Sequence, residues 1–146
     1  MRTLHFGLRV TDLERSLAFY GAVGYEVVGS VPESPIGHLT MLKLPDDDFV
    51  TVELVHDPTA AVGRATGFSH FVVKVESMAA TLDNLAAQGI GPVAPGHEGE
   101  DGFRTAFVVD PDGYRIELVQ WPAGHPEGMT AADWAQTATE EGDARG

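Results

Sequence analysis

The chain has 146 residues, 43% of them apolar, with no cysteine and a formal net charge of −13. This suits one domain, residues 1–146, with a real core and neither disulfides nor thiolate metal sites. So acidic a surface repels phosphate backbones and anionic lipid, which sets aside nucleic-acid and membrane partners. No apolar run nears the roughly 18 residues of a membrane span, and MRTLHFGLRV lacks a signal-peptide pattern, so a cytoplasmic location is expected.

Residues 4–10 alternate, Phe6, Leu8 and Val10 pointing one way and His5, Gly7 and Arg9 the other. Thr11 and Glu14 form a capping-box pattern before a helix over about 12–22, which carries Leu13, Leu17 and Tyr20 on one face and stops at Gly24. Strands are expected at 25–28, 38–44 and 49–55, with a proline-bearing loop at 30–37 and a turn at Pro45-Asp46-Asp47-Asp48. That acidic turn lacks the glycine and closing glutamate of a calcium loop and reads as solvated hairpin. Residues 56–68 read as linker. The order then restarts: a strand at 69–75, a helix capped by Ser77 and stopped by Gly89, and a short strand at 90–94 whose Pro92 puts it at an edge. A loop follows at 95–102, then strands at 103–109 and 114–120 around the turn Asp110-Pro111-Asp112-Gly113. The tail, 122–146, is rich in Gly, Pro and acidic residues, with a short helix expected over 131–137, held by Trp134, and disorder beyond it.

The restart is a repeat. His5-Phe6-Gly7-Leu8-Arg9-Val10 aligns without a gap on His70-Phe71-Val72-Val73-Lys74-Val75, and Val52-Glu53-Leu54-Val55 on Ile116-Glu117-Leu118-Val119. The fold class is therefore α+β, with two tandem βαβββ modules at 4–55 and 69–121. A half-open sheet cannot bury its face alone, so the modules pack on each other or on those of a second chain. Each module carries one histidine on its first strand and one glutamate on its last, on the face away from the core. A single such residue is usually structural or solvated, but four at matching places point to a metal. Imidazole and carboxylate are good ligands for a divalent first-row ion, and four of them leave two octahedral positions open. His38, His56, His97 and His125 lie in loops or at strand ends and read as surface residues.

On LHFGLRVTDLERSLAFY, VELVH, GFSHFVVKV and DPDGYRIELV, residues 2–121 resemble the vicinal oxygen chelate superfamily, and within it the glyoxalase I family. The resemblance implies that His5, Glu53, His70 and Glu117 bind one nickel, cobalt or zinc ion per site. It implies that Glu117, with Glu53 as counterpart, moves a proton between adjacent carbons of a hemithioacetal, such as that of methylglyoxal, through an enediolate. It further implies a homodimer with its sites at the interface, one chain supplying His5 and Glu53 and the other His70 and Glu117. Arg9 matches a position that contacts a carboxylate of the thiol. Two places depart from the pattern. Asp57 stands where relatives that bind glutathione have Asn, and the loop before the last hairpin carries Glu98, Glu100 and Asp101, with Arg104 the only nearby cation. The thiol is therefore open. The competing functions are a metal-dependent epimerase of an acyl thioester and a binding protein of the bleomycin-resistance type, against which the complete ligand set counts.

Overall fold

A computed structural model describes residues 3–63, 68–129 and 132–135. The first module runs β1 (Phe6–Val10), α1 (Leu13–Val23), β2 (Glu26–Val31), β3 (His38–Lys43) and β4 (Val52–His56). The second runs β5 (His70–Lys74), α2 (Met78–Ala86), β6 (Ala94–Glu98), β7 (Arg104–Val109) and β8 (Arg115–Gln120), followed by α3 (Ala132–Ala135). Each module makes a four-stranded sheet, in the orders β1-β4-β3-β2 and β5-β8-β7-β6, and neither sheet closes into a barrel. The first and last strands of each module pair in parallel and the remaining pairs are antiparallel. No helix among the described residues is long and apolar enough to cross a membrane.

Alternation sorts the faces as the sequence implies. Leu8, Val10, Leu42, Val52 and Leu54 of the first sheet and Val73, Ala106, Val108, Ile116 and Leu118 of the second are buried with Phe19, Tyr20, Met78 and Leu85 of the helices in one cluster. Each such aliphatic side chain contributes about 1.5–3 kcal/mol relative to exposure.

The strand expected at 49–55 begins at Val52, and three further details differ from the sequence reading. The N-cap of α1 is Asp12, whose side chain accepts from Arg15 N, while Thr11 turns away to donate to Asp112. The second strand extends to Val31, because a bulge between Val27 and Gly29 absorbs one residue and pairing with β3 continues to Leu39. The strand expected at 90–94 around Pro92 is not formed at 90–93; the edge strand β6 instead runs from Ala94 to Glu98, through residues expected as loop. Its pairing with β7 is irregular between Ala94 and His97, and a Cβ on Gly96 would collide with the Thr105 carbonyl oxygen, so only glycine fits there. In the tail, α3 falls within the expected helix. The Trp134 side chain, residues 136–146 and linker residues 64–67 lie outside the described residues.

The modules meet unequally. On one side Tyr20 of α1 donates to buried Asp110 at 2.8 Å, and Asp110 also accepts from Asp112 N and Tyr114 N at 2.9 and 2.8 Å. Tyr114 OH in turn donates to the Arg9 carbonyl at 2.8 Å. Burial pushes the Asp110 carboxyl up against the pull of these donors, and burial with Asp110 beside it pushes the Tyr20 hydroxyl far up, so Tyr20 stays a donor. On the other side the modules leave a groove of about 690 Å³, lined among others by Phe6, Tyr25, Leu44, Phe71 and Lys74. Tyr20→Phe should cost about 1–3 kcal/mol in urea denaturation, since it strips a donor from a buried carboxylate.

The tail stays with the second sheet. His125 stacks on Trp121, and its Nε2 lies 2.7 Å from Asp133 Oδ1. The Asp133 carboxylate, helped by the Pro126 carbonyl, raises the His125 imidazole above its ordinary 6.5. A folded pKa above the unfolded one means that this contact is fully present below about pH 6.5 and is lost as pH rises through the raised value. Hydrogen exchange in residues 122–129, corrected for intrinsic rates, should accelerate as pH rises through that value, and His125→Gln should abolish the pH dependence.

Candidate metal centre

The parallel pairing of first and last strands positions the four candidate ligands. Gly7 lies opposite Glu53, and His5 stands two residues before Gly7, hence on the same face. Val72 lies opposite Glu117, and His70 stands two residues before Val72. The result is two equivalent pairs: His5 Nε2 is 3.7 Å from Glu53 Oε2, and His70 Nε2 is 3.2 Å from Glu117 Oε2. Two ligands bound at right angles to one ion, each at about 2.1 Å, stand about 3.0 Å apart, so each pair has nearly the spacing of adjacent ligands. The carboxylates are the more sheltered partners, at 16% and 22% side-chain exposure against 41% and 35% for the imidazoles, which keeps both pairs reachable from outside.

Each pair brings together two candidate ligands. Among the described residues no group of three or more His, Cys, Asp or Glu side chains gathers closely enough to hold a metal ion. Within one chain His5 with Glu53 and His70 with Glu117 thus stand as separate pairs.

Three neighbours of the second pair were not legible in the sequence. Ser69 Oγ lies 2.9 Å from His70 Nδ1, which leaves Nε2 as the ring nitrogen beside Glu117. Phe107, opposite Glu117, packs edge-on to the His70 ring at 5.7 Å. Arg115, opposite His70, lays its guanidinium 4.7 Å from the Phe107 ring centre. Ser69 is a strand-flanking hydroxyl with no motif. Phe107 and Arg115 acquire meaning only once the register puts them beside His70.

The expected substrate contacts divide. Arg9, opposite Val55, takes the face of Glu53 and donates to the Ile36 carbonyl at 3.4 Å. Asp57 follows on that face just past β4, its carboxyl held below the usual range by donors from Thr59 and, more weakly, by Arg9. Arg104 is elsewhere. It lies opposite Gln120, whose side chain accepts from Met78 N on the helix side, so Arg104 is on the face away from Glu117. Its guanidinium is 2.8 Å from Glu98, whose carboxyl it holds low. His97 is exposed, as expected; His38 and His56 are half-buried opposite each other, and His125 is half-buried on Trp121.

The family model described as Glyoxalase/Bleomycin resistance protein/Dioxygenase superfamily matches residues 2–118. The chain belongs to this superfamily. Among named members, it is 34% identical over 125 residues to lactoylglutathione lyase GLX1 of Arabidopsis thaliana, covering 82% of this chain but 44% of that protein. It is 34% identical over 127 residues to a probable lactoylglutathione lyase of Synechocystis, covering 82% of this chain and 95% of the relative. The chain thus spans under half of the plant member and nearly all of the cyanobacterial one. Among solved glyoxalase structures, the trypanothione-dependent glyoxalase I of Leishmania major superposes with a TM-score of 0.67 at 28% identity, covering 99% of this chain and 94% of that one.

If the pairs combine into quartets, the purified protein should carry about one divalent ion per chain by elemental analysis, as two sites per dimer require. His70→Ala should lower that content strongly. Unchanged metal in the folded variant would refute the ligand assignment.

Proposed function

We propose that the protein is a divalent-metal-dependent lyase of the glyoxalase I type, acting on the hemithioacetal of an α-oxo-aldehyde and a thiol. The observation that carries this reading is the pair of equivalent His–Glu half-sites, each at the separation of adjacent metal ligands and each on an open sheet face. The relatives named lactoylglutathione lyase support it. Because neither half-site finds a third ligand among the described residues of its own chain, we assign the complete site to a homodimer. One chain brings His5 and Glu53, and the partner brings its equivalents of His70 and Glu117.

The residues present fit a nickel, cobalt or zinc ion: neutral imidazole and carboxylate donors, with open positions left for substrate oxygens. When bound, the ion supplies Lewis acidity that lowers the cost of removing a proton beside a carbonyl. Glu117 takes that proton from the carbon bearing sulfur and returns it to the neighbouring carbon, so that substrate and product are isomers. Glu53 is its counterpart at the same site. Ser69 hydrogen-bonds the Nδ1 edge of the His70 ring, and Phe107 packs edge-on against that ring.

Glutathione is a poor thiol in this reading. Asp57 is a stabilised carboxylate beside Arg9, and Arg104 is already engaged by Glu98 on the far face. Asp57→Asn should improve the apparent affinity for a glutathione hemithioacetal roughly two- to fivefold, the scale of an exposed charge contact, and raised salt should mimic part of that gain.

Chain mixing tests the shared site. His5→Ala and His70→Ala homodimers should each be inactive with methylglyoxal and a panel of thiols. Verified heterodimers of the two should regain one complete quartet, and with it about half of the wild-type activity per dimer. No recovery in such heterodimers would sink the shared-site assignment.

A further inference from the structure

Beyond β8 the chain does not leave the sheet at once. Glu117, Val119 and Trp121 share one face by alternation. The paired strand agrees: Phe107 lies opposite Glu117 and Thr105 opposite Val119, while Phe103 packs on Trp121 at 5.3 Å between ring centres. His97, opposite Thr105, extends this row, its ring 5.9 Å from that of Phe103.

The tail then folds back over this row. The His125 imidazole stacks on the Trp121 indole, 4.2 Å between centres and 8° between planes. Its Nε2 reaches Asp133 of α3 at 2.7 Å. Two residues further on, Glu127 Oε2 lies 3.0 Å from Lys74 Nζ, and Lys74 is opposite Val119, on the same face as Glu117. Residues 121–129 therefore cross from the end of β8 to the end of β5, over the far end of the face that carries His70 and Glu117. They lie beyond the residues that the superfamily model matches. The first module is built differently here. Its positions equivalent to Lys74 and Trp121 are Arg9 and Asp57, and Asp57 accepts from Thr59.

We propose that residues 121–129 form a strap that closes this end of the cleft and restricts the enzyme to hemithioacetals of thiols shorter than a tripeptide. The inference rests on the reading that the His–Glu faces receive the substrate. Four residues of strand separate Glu117 from Trp121, about 13 Å at about 3.3 Å per residue. The stacked rings, and the carboxylate–ammonium pair beside them, take up the far part of that distance. An extended tripeptide spans roughly 10 Å, whereas the Lys74–Glu127 pair stands opposite Val119, two residues or about 7 Å from Glu117 along the strand, so an arm directed along β8 from a sulfur held near Glu117 runs into that pair before it reaches the stacked rings. A thiol of about one amino acid ends short of them. This is a limit on length, separate from the charge effect of Asp57, and salt does not relieve it.

Calorimetric binding of two unreactive thioethers, S-methylcysteine and S-methylglutathione, tests the strap in the full-length metal-loaded protein at high salt. Wild type should favour the shorter ligand. His125→Ala/Glu127→Ala, which removes the stack and both anchors, should tighten S-methylglutathione about tenfold, about one decade of affinity, and leave S-methylcysteine nearly unchanged. Glu127→Gln, an exposed change that leaves the core intact, should give a smaller gain of the same selectivity. Equal wild-type affinity for both ligands, or parallel changes in both in the folded variants, would overturn the strap. Absence of turnover with every hemithioacetal would overturn the lyase reading instead, because the binding comparison involves no chemistry.

Discussion

Parallel pairing between the first and last strands of each module is the constraint on which the candidate centre depends. It places Glu53 opposite Gly7 and Glu117 opposite Val72, and so sets each histidine two residues away on the same face as its glutamate. Side chains alternate with period two, so a slip of one residue in either ladder would send a carboxylate into the helix side and break the pair. The buried rows Leu8–Val10 with Val52–Leu54, and Val73 with Ile116–Leu118, oppose such a slip, because it would expose several core side chains at once. Register, core and candidate ligands are thus a single specification, made twice.

The two modules repeat in sequence but not in their surroundings. At one junction a tyrosine, two aspartates and a second tyrosine tie α1 and β1 to the β7–β8 turn through hydrogen bonds, of which that of Tyr20 to Asp110 is buried. At the other, the corresponding turn carries Asp46, Asp47 and Asp48, and Asp47 closes on its own hairpin, accepting from Leu44 N and from the Thr51 hydroxyl. Among the described residues no tyrosine hydrogen-bonds across that junction, and a groove lies there. The half-sites diverge in the same way. The first is flanked by Arg9 and Asp57, the second by Phe107, Arg115 and the aromatic row that ends in the tail. A site assembled from one half of each kind would have one charged wall and one aromatic wall.

Much of this was legible in the residues. The repeat, the βαβββ order, the core rows and the shared face of each histidine and glutamate follow from alternation, helical spacing and turn chemistry. These are local signals, written within a few residues of where they act. Boundaries were less legible where non-local pairing took over, as at Val31 and at β6, where bulges let strands continue into residues that read as loop. The capping of α1 differed for the same kind of reason: Thr11 found a partner, Asp112, about a hundred residues away, and left the cap to Asp12.

By itself the sequence determined which residue types stand at matching places in two modules, and hence the superfamily and the candidate ligands. Tertiary structure decided how those residues are grouped. It split the quartet into two pairs within one chain, turned Arg104 to the face away from Glu117, put Ser69 against His70, and laid His125 and Glu127 across Trp121 and Lys74. The division has a physical origin. Periodicity assigns a side chain to a face within its own element, whereas the distance between side chains on different elements depends on register, bulges and the docking of modules, which no short stretch of sequence encodes.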